Sequence, residues 1–146
     1  MNKPTIKELA IEIDASEKSM KQSALVIMQD KGTNSPLFCV PGTGGSVMYL
    51  LHMAEKFKNY ERPIYGLQAM NSEETNKPLD DIELIASMNI EAILKVQQVG
   101  TFHLCGHSFG SWVVLAMAQQ LENLGHQVHV SILDTALPTE RDVNRI

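Results

Sequence analysis

The stretch FHLCGHSFG, residues 102–110, decides the fold. A short apolar run reaches Gly106, and a helical pattern of apolar residues follows over 109–124. A serine between a strand and a helix must adopt a strained backbone conformation, which exposes its hydroxyl at the carboxyl end of the strand. Gly106 and Gly110 flank it, as expected where side chains would collide with the neighbouring strand and helix. We therefore predict that Ser108 is a nucleophile; the alternative is a serine that caps the helix within a glycine-rich turn.

Apolar runs and helical patterns alternate on both sides of this stretch. The other predicted strands cover 24–28, 37–40, 63–67 and 128–133, and the other predicted helices cover 46–58 and 81–98. Asp80 and Glu83 resemble a capping box at the start of the second of these helices. The alternation from residue 37 onward is typical of right-handed βαβ units. The sequence therefore predicts an α/β fold with a mostly parallel sheet and helices on both faces.

A glycine-rich segment, PGTGG at 41–45, follows the strand that we expect to lie beside the Ser108 strand. Acyl transfer at a serine needs two backbone N–H donors for the oxyanion. One candidate is the N–H of Phe109, which follows Ser108 at the helix N-terminus, and the other is the N–H of Thr43. The alternative is a tight turn that only leads into the next helix. A phosphate-binding loop is disfavoured because neither GxGxxG nor GxxxxGK[ST] is present.

Asp134 ends the predicted strand 128–133 and lies 26 residues after Ser108. Because the carboxyl ends of consecutive parallel strands lie on one edge of a sheet, this carboxylate can approach the serine. Its role would be to hold a histidine in the correct tautomer and to stabilise the imidazolium. The alternative is an aspartate that caps the turn at 135–138.

None of the five histidines is well placed to act as the base for Ser108. His107 is adjacent to the serine, so we expect its side chain to point away from it. The others lie within a predicted helix, within predicted strands or at the opposite edge of the sheet: His52, His103, His129 and His126. The order Ser…Asp…His requires a histidine after Asp134, and residues 135–146 contain none. The triad is therefore incomplete in this sequence.

Composition and charge exclude several other classes of protein. A net charge of −5 with scattered basic residues argues against a nucleic acid partner. No apolar run reaches the ~18 residues of a membrane span and no signal peptide opens the sequence, so we expect a cytoplasmic protein. Cys39 and Cys105 lie within apolar strand-like runs and are expected to be buried thiols, with a disulfide or a reactive thiol as the alternative. They form no metal-binding pattern.

Several linked motifs make the sequence resemble the thioesterase domains that end nonribosomal peptide and polyketide synthases. The motifs occur in order within residues 24–138: LFCVPGTGG at 37–45, IYGLQA at 64–69, ILKVQ at 93–97, FHLCGHSFG at 102–110 and ILDT at 132–135. This combination is far more specific than GxSxG alone.

The resemblance implies an α/β-hydrolase fold and acyl-enzyme chemistry. The substrates would be acyl or peptidyl chains held as phosphopantetheine thioesters on a carrier domain, released by hydrolysis or cyclisation without a cofactor of the enzyme's own. Ser108 and Asp134 would be members of the catalytic triad, and Thr43 and Phe109 would be the oxyanion donors.

The resemblance also suggests how the chain is organised. Residues 1–13 resemble the last helix of a carrier domain, so we assign 1–22 to that helix and a linker, and 23–146 to the N-terminal part of a thioesterase domain. Ser111 stands where the family has a second glycine, and a serine is small enough to keep the helix close to the strand. The family's lid helices, last strands and catalytic histidine would lie beyond Ile146.

This organisation gives two expectations for the isolated chain. Without the histidine it would be inactive, and strand 128–133 would form an unprotected edge through which the chain associates with itself. Two other hypotheses stay open. One is a generic esterase or an editing thioesterase, and the other is a non-catalytic fragment or interaction module in which Ser108 is idle.

Overall fold

The computed structural model describes residues 25–57, 59–69 and 79–136. Within these ranges five strands form one sheet in the order β1-β3-β2-β4-β5. The strands are β1, Leu25–Gln29; β2, Leu37–Val40; β3, Ile64–Leu67; β4, Phe102–His107; and β5, Val128–Leu133. The predicted carrier-domain helix at 1–13 and the linker at 14–22 lie outside the described residues.

Most neighbouring strands of the sheet run parallel, as predicted. β2 is parallel to both β3 and β4, and β4 is parallel to β5, while β1 alone runs antiparallel to its neighbour β3. The β4–β5 ladder ends at the pair His107↔Leu133. As a result the residues that follow β2, β4 and β5 emerge at the same edge of the sheet. The predicted site residues all follow these three strands.

The three helices are shorter than the sequence patterns suggest. A 3₁₀ turn at Met48–Leu50 leads into α1, Leu51–Lys56; α2 spans Ile82–Leu94, and α3 spans Phe109–Asn123. The predicted boundaries were 46–58 for α1, 81–98 for α2 and 109–124 for α3. Only α3 agrees closely, because its start is set by the strained serine and its end by a glycine with positive φ at position 125.

The capping residue of α2 is Asp81, so the prediction of Asp80 was wrong by one residue. The Asp81 carboxylate accepts a hydrogen bond from the N–H of Leu84 at 3.0 Å. Glu83 does not complete a capping box with the chain before it. Its carboxylate instead accepts a hydrogen bond of 2.7 Å from the side chain of Gln120 on α3. A contact between two helices therefore replaces the local motif.

The core lies on both faces of the sheet because alternate residues of each strand point to opposite sides. One face packs against α2 and α3, and its fully buried members include Phe38, Phe102 and Leu104. The other face packs a smaller cluster beneath α1, which includes Cys39, Ile64 and Cys105. Helices thus cover both faces, as predicted.

Cys39 and Cys105 occupy directly paired positions in the β2–β4 ladder. Both are buried, and neither is in a disulfide. A hydrogen bond with Cys105, together with burial, raises the pKa of Cys39 well above its usual value. The Cys39 thiol is therefore protonated at neutral pH. The prediction of buried thiols is confirmed.

Candidate active site

Ser108 is the single residue between β4 and α3, and its backbone is strained. Its φ is 50° and its ψ is −122°, outside the regions that residues with a Cβ favour. Its N–H donates to the carbonyl of Leu133 at 2.9 Å, and its carbonyl accepts from Thr135 Oγ1 at 3.2 Å. The Ser108 side chain makes no capping hydrogen bond to the helix. The predicted strained conformation is confirmed, and a capping role for the side chain is not supported.

Two glycines allow α3 to start against the strands. A Cβ on Gly106 would lie 2.5 Å from the carbonyl oxygen of Gly110, and a Cβ on Gly110 would lie 2.3 Å from the carbonyl oxygen of Val40. Both distances are far below van der Waals contact, so these positions exclude any larger residue. Ser111, where the family has a glycine, is fully buried, and its hydroxyl donates to the Gly106 carbonyl at 3.0 Å. Close packing of helix and strand is therefore retained, as predicted.

The glycine-rich loop at 41–45 lies directly against this serine. A Cβ on Gly42 would be 3.2 Å from the Cβ of Ser108, and the loop turns back through a hydrogen bond of 3.0 Å from the Gly45 N–H to the Gly42 carbonyl. In the described part of the chain, neither the Thr43 N–H nor the Phe109 N–H has a hydrogen-bond partner. Both predicted donors line the same cleft and are free to bind an oxyanion there.

A hydrogen-bond network that the sequence did not reveal holds this loop. The Gly42 N–H donates to the hydroxyl of Tyr49 at 2.7 Å, and that hydroxyl is 2.9 Å from Nδ1 of His107. Because the tyrosine oxygen accepts from Gly42, its own proton is available to the imidazole. In the tautomer with its ring proton on Nε2, His107 Nδ1 accepts the tyrosine proton; in the other tautomer, Nδ1–H donates to the second lone pair of the tyrosine oxygen. Nε2 is 3.9 Å from a carboxylate oxygen of Asp134.

Asp134 follows β5 at the same edge as Ser108. The ladder pair His107↔Leu133 sets the two residues side by side. Asp134 also has a positive φ, 52°, but its side chain is 90% exposed. The predicted position at the sheet edge is confirmed. The contact of its carboxylate is with His107, at a distance too long for a hydrogen bond.

The histidines other than His107 lie away from the Ser108 hydroxyl. His103 and His129 face each other across β4 and β5 with ring centroids 5.1 Å apart, and burial, with Arg62 and His129 nearby, lowers the pKa of His103. His126 packs on Phe102 at the opposite end of β4, and His52 lies exposed on α1. Among the described residues no histidine is hydrogen-bonded to Ser108.

A cleft of about 320 Å³ opens beside the loop at 41–45. Ser108 is not one of its lining residues, but Thr43 and Phe109 are. The remaining wall is mostly apolar, with Leu67, Ile85 and Met88 among its members. A partly open apolar cleft next to two free N–H groups is suited to an acyl chain whose carbonyl oxygen lies at those donors.

No group of three or more metal-ligating side chains lies within the residues that the structure describes. Over the same residues, no helix is long and apolar enough to cross a membrane.

The sheet topology and the strained serine between β4 and α3 define the α/β-hydrolase class of fold. The chain belongs to the thioesterase domain family, whose model matches residues 35–145. The family identified from the sequence motifs is thereby confirmed.

The curated relatives include nonribosomal peptide synthases. The chain is 38% identical over 139 residues to the dimodular nonribosomal peptide synthase of Bacillus subtilis (strain 168), covering 92% of this chain and 6% of that protein. It is 35% identical over 140 residues to the indigoidine synthase of Dickeya dadantii (strain 3937), covering 95% of this chain and 9% of that protein. The chain thus spans less than a tenth of either relative.

Solved structures share the fold. A four-domain nonribosomal peptide synthetase bound to AMP and glycine superposes with a TM-score of 0.70 at 24% identity, over 90% of this chain and 10% of that one. The NocB thioesterase domain from the nocardicin cluster superposes with a TM-score of 0.64 at 20% identity, over 72% of this chain and 46% of that one. The chain covers about half of that isolated domain.

Proposed function

We propose that this chain carries the nucleophile of a thioesterase that releases an acyl or peptidyl chain from the phosphopantetheine of a carrier domain. Ser108 is the acyl-accepting residue. The observation that carries the proposal is its positive φ of 50° between β4 and the N-terminus of α3. Such a conformation is costly and is retained where the exposed hydroxyl has a task. The dimodular nonribosomal peptide synthase among the relatives supports a carrier-bound substrate.

The reaction has two steps at one serine. The oxygen of Ser108 attacks the thioester carbonyl, the carbon–sulphur bond breaks, and the pantetheine leaves as a thiol after taking up the serine proton. Negative charge on the carbonyl oxygen in the transition state is stabilised by the N–H groups of Thr43 and Phe109. A water molecule, or a nucleophile within the acyl chain, then attacks the ester and frees Ser108. The first route is hydrolysis and the second is cyclisation.

Asp134 is the proposed acid of the triad, where it would orient and stabilise a protonated histidine. It lies at the edge of the sheet where β4 and β5 end, beside Ser108. The partner histidine is not supplied by residues 135–146. General-base catalysis contributes about 10²–10⁴-fold to such reactions. The 146-residue chain alone is therefore expected to be acylated slowly and to turn over more slowly still.

The test is an assay on a matched pair of esters. The chain is incubated with an acyl-pantetheine thioester and with the corresponding oxygen ester, and released thiol or alcohol is followed together with the intact mass of the protein. We expect slow thiol release, an acyl adduct on Ser108, and loss of both in Ser108→Ala. Thiol release that persists unchanged in Ser108→Ala would contradict the proposal. Equal activity on the oxygen ester would favour a generic esterase.

A further inference from the structure

Asn89 is an unusual residue for the inner side of α2. It is 4% exposed, and its helical neighbours Ala86, Ile90 and Ile93 are buried apolar side chains. A buried polar group costs free energy unless it finds a hydrogen-bond partner. A residue chosen only for packing at this position would be apolar.

The Asn89 amide has no hydrogen-bond partner within residues 25–57, 59–69 and 79–136. Most buried side-chain amides in folded proteins are hydrogen-bonded, so this one requires an explanation. Its surroundings provide it, because Asn89 lines the cleft that also contains Thr43 and Phe109. The residue is almost entirely covered by the protein, but its amide atoms are not among the fully buried unpartnered ones, so the small exposed part of Asn89 is at the amide, toward the cleft beside the proposed oxyanion donors.

The cleft offers a second amide, which is only half-buried. Gln68, just after β3, also lines the cleft, and its side chain likewise has no hydrogen-bond partner in the described ranges. A carboxamide provides two donors and one acceptor, and a peptide group provides one donor and one acceptor. An amide in the ligand can therefore satisfy both functions of Asn89, whereas a hydrocarbon chain can satisfy neither.

We propose that Asn89 determines substrate specificity by hydrogen-bonding a peptide amide of the acyl chain, so that the cleft accepts aminoacyl or peptidyl chains in preference to plain fatty acyl chains. The inference rests on the proposed function for the identity of the ligand as an acyl chain. The apolar wall formed by Leu67, Ile85 and Met88 contacts the side chain of the substrate residue, and the buried amide recognises its backbone. A site built around a buried polar group rejects ligands that lack its partner, since binding them leaves the group unsatisfied.

The test uses ligand binding, so it does not depend on turnover. The ligands are two pantetheine ketones, in which a methylene replaces the thioester sulphur. They differ only in the acyl part. The amide ligand carries an N-acetyl-leucyl group, and in the hydrocarbon ligand two methylenes replace the amide of that group. Dissociation constants are measured by NMR titration. We expect the wild-type chain to bind the amide ligand about tenfold more tightly, as one buried hydrogen bond implies. Asn89→Leu removes this preference, and the matched exposed substitution Asn123→Leu retains it.

Equal binding of the two ligands by the wild-type chain, or no binding of the amide ligand up to its solubility limit, would overturn the proposal. So would an unchanged preference in a folded Asn89→Leu chain. If that variant does not fold, the wild-type Asn89 side-chain NH₂ signals decide, because they must shift with the amide ligand and not with the hydrocarbon one. If the wild-type chain prefers the amide ligand but the thioester assay gives no acyl adduct on Ser108, the proposed function is rejected and the amide site is kept. If the adduct forms but the two ligands bind equally well, the amide site is rejected and the proposed function is kept.

Discussion

Ser108 and Asp134 directly follow adjacent strands at the same edge of the sheet, and both have a positive φ, 50° and 52°. Their surroundings differ sharply. Ser108 is enclosed by β4, by the start of α3 and by the loop at 41–45. The side chain of Asp134 is 90% exposed, and its contact is His107 at 3.9 Å.

This difference indicates which part of the site the described residues build by themselves. The backbone geometry at Ser108 follows from packing within the chain, since backbone atoms of Gly110 and Val40 leave no room for a Cβ at the two flanking glycines. The acid is positioned by the ladder but is not held by its surroundings. Preorganisation therefore belongs to the proposed nucleophile and the loop at 41–45, and the described residues leave the proposed acid to be oriented by a further group.

The largest expected effect tests the packing around Ser108. Gly110→Ala places a Cβ 2.3 Å from the Val40 carbonyl oxygen, so the helix must move off the strand. We expect a loss of more than about 3 kcal/mol in the free energy of unfolding, as for other severe core overpacking. Urea denaturation followed by circular dichroism measures it.

The control for this substitution is Gly125→Ala. That glycine has a φ of 88° and open space around its Cβ position, so the strain of a positive φ should cost only about 1–2 kcal/mol. Similar losses in the two variants would show that close packing at the serine is not what distinguishes this region.

The second prediction concerns the β5 side of the comparison. Within the described residues no strand pairs with the outer side of β5, where Ser131 is exposed. We expect the chain to self-associate through this edge, and Ser131→Lys to weaken association about tenfold, because charged side chains block edge pairing. Light scattering over a concentration series measures it, with Gln119→Lys on exposed helical surface as the control. A chain that is monomeric at every concentration would contradict this.

A third test removes one hydroxyl from the network behind the oxyanion loop. Tyr49→Phe deletes the acceptor of the Gly42 N–H and the partner of His107 Nδ1. We expect a loss of about 1 kcal/mol in the free energy of unfolding and a shift of the His107 ring ¹⁵N signals, because Nδ1 loses its hydrogen-bond partner. Tyr60→Phe, at an exposed tyrosine, should change neither. Unchanged His107 ¹⁵N signals would remove Tyr49 from the network.

The smallest effect is expected at Asp134. Because its side chain is exposed, Asp134→Asn should shift the melting temperature by less than about 2 °C. Asp134→Gly should be neutral or slightly stabilising, since glycine adopts a positive φ without strain. A large loss of stability in Asp134→Asn would mean that the acid is held as firmly as the nucleophile, and the contrast between the two residues would fail.

What could be predicted from the sequence was local or steric. The serine conformation, its flanking glycines and the boundaries of α3 follow from residues close together in the chain, and Asp134 follows from the rule that parallel strands end at one edge. The Tyr49–His107 contact joins residues that are 58 positions apart in the sequence, and the local sequence around neither residue predicts it. The same holds for the hydrogen bond between Glu83 and Gln120.

The sequence gives only a weak indication that Asn89 belongs to the site. It is a polar residue at a position of helical periodicity where apolar residues are expected, as the buried Ile90 and Ile93 on the same helix confirm. Periodicity alone does not tell whether such a residue faces a partner or an empty cleft. Only the arrangement of α2 against the loop at 41–45 makes that distinction.

The central claim is that Ser108 is the reactive serine, and covalent labelling tests it most directly. The chain is treated with a fluorophosphonate probe, and the modified residue is identified by peptide mass spectrometry in the wild type, in Ser108→Ala and in Ser46→Ala, an exposed serine near the same loop. We predict slow modification of Ser108 that is abolished in Ser108→Ala and unchanged in Ser46→Ala. Labelling that survives in Ser108→Ala, or that shows no preference for Ser108 over Ser46, would contradict the account.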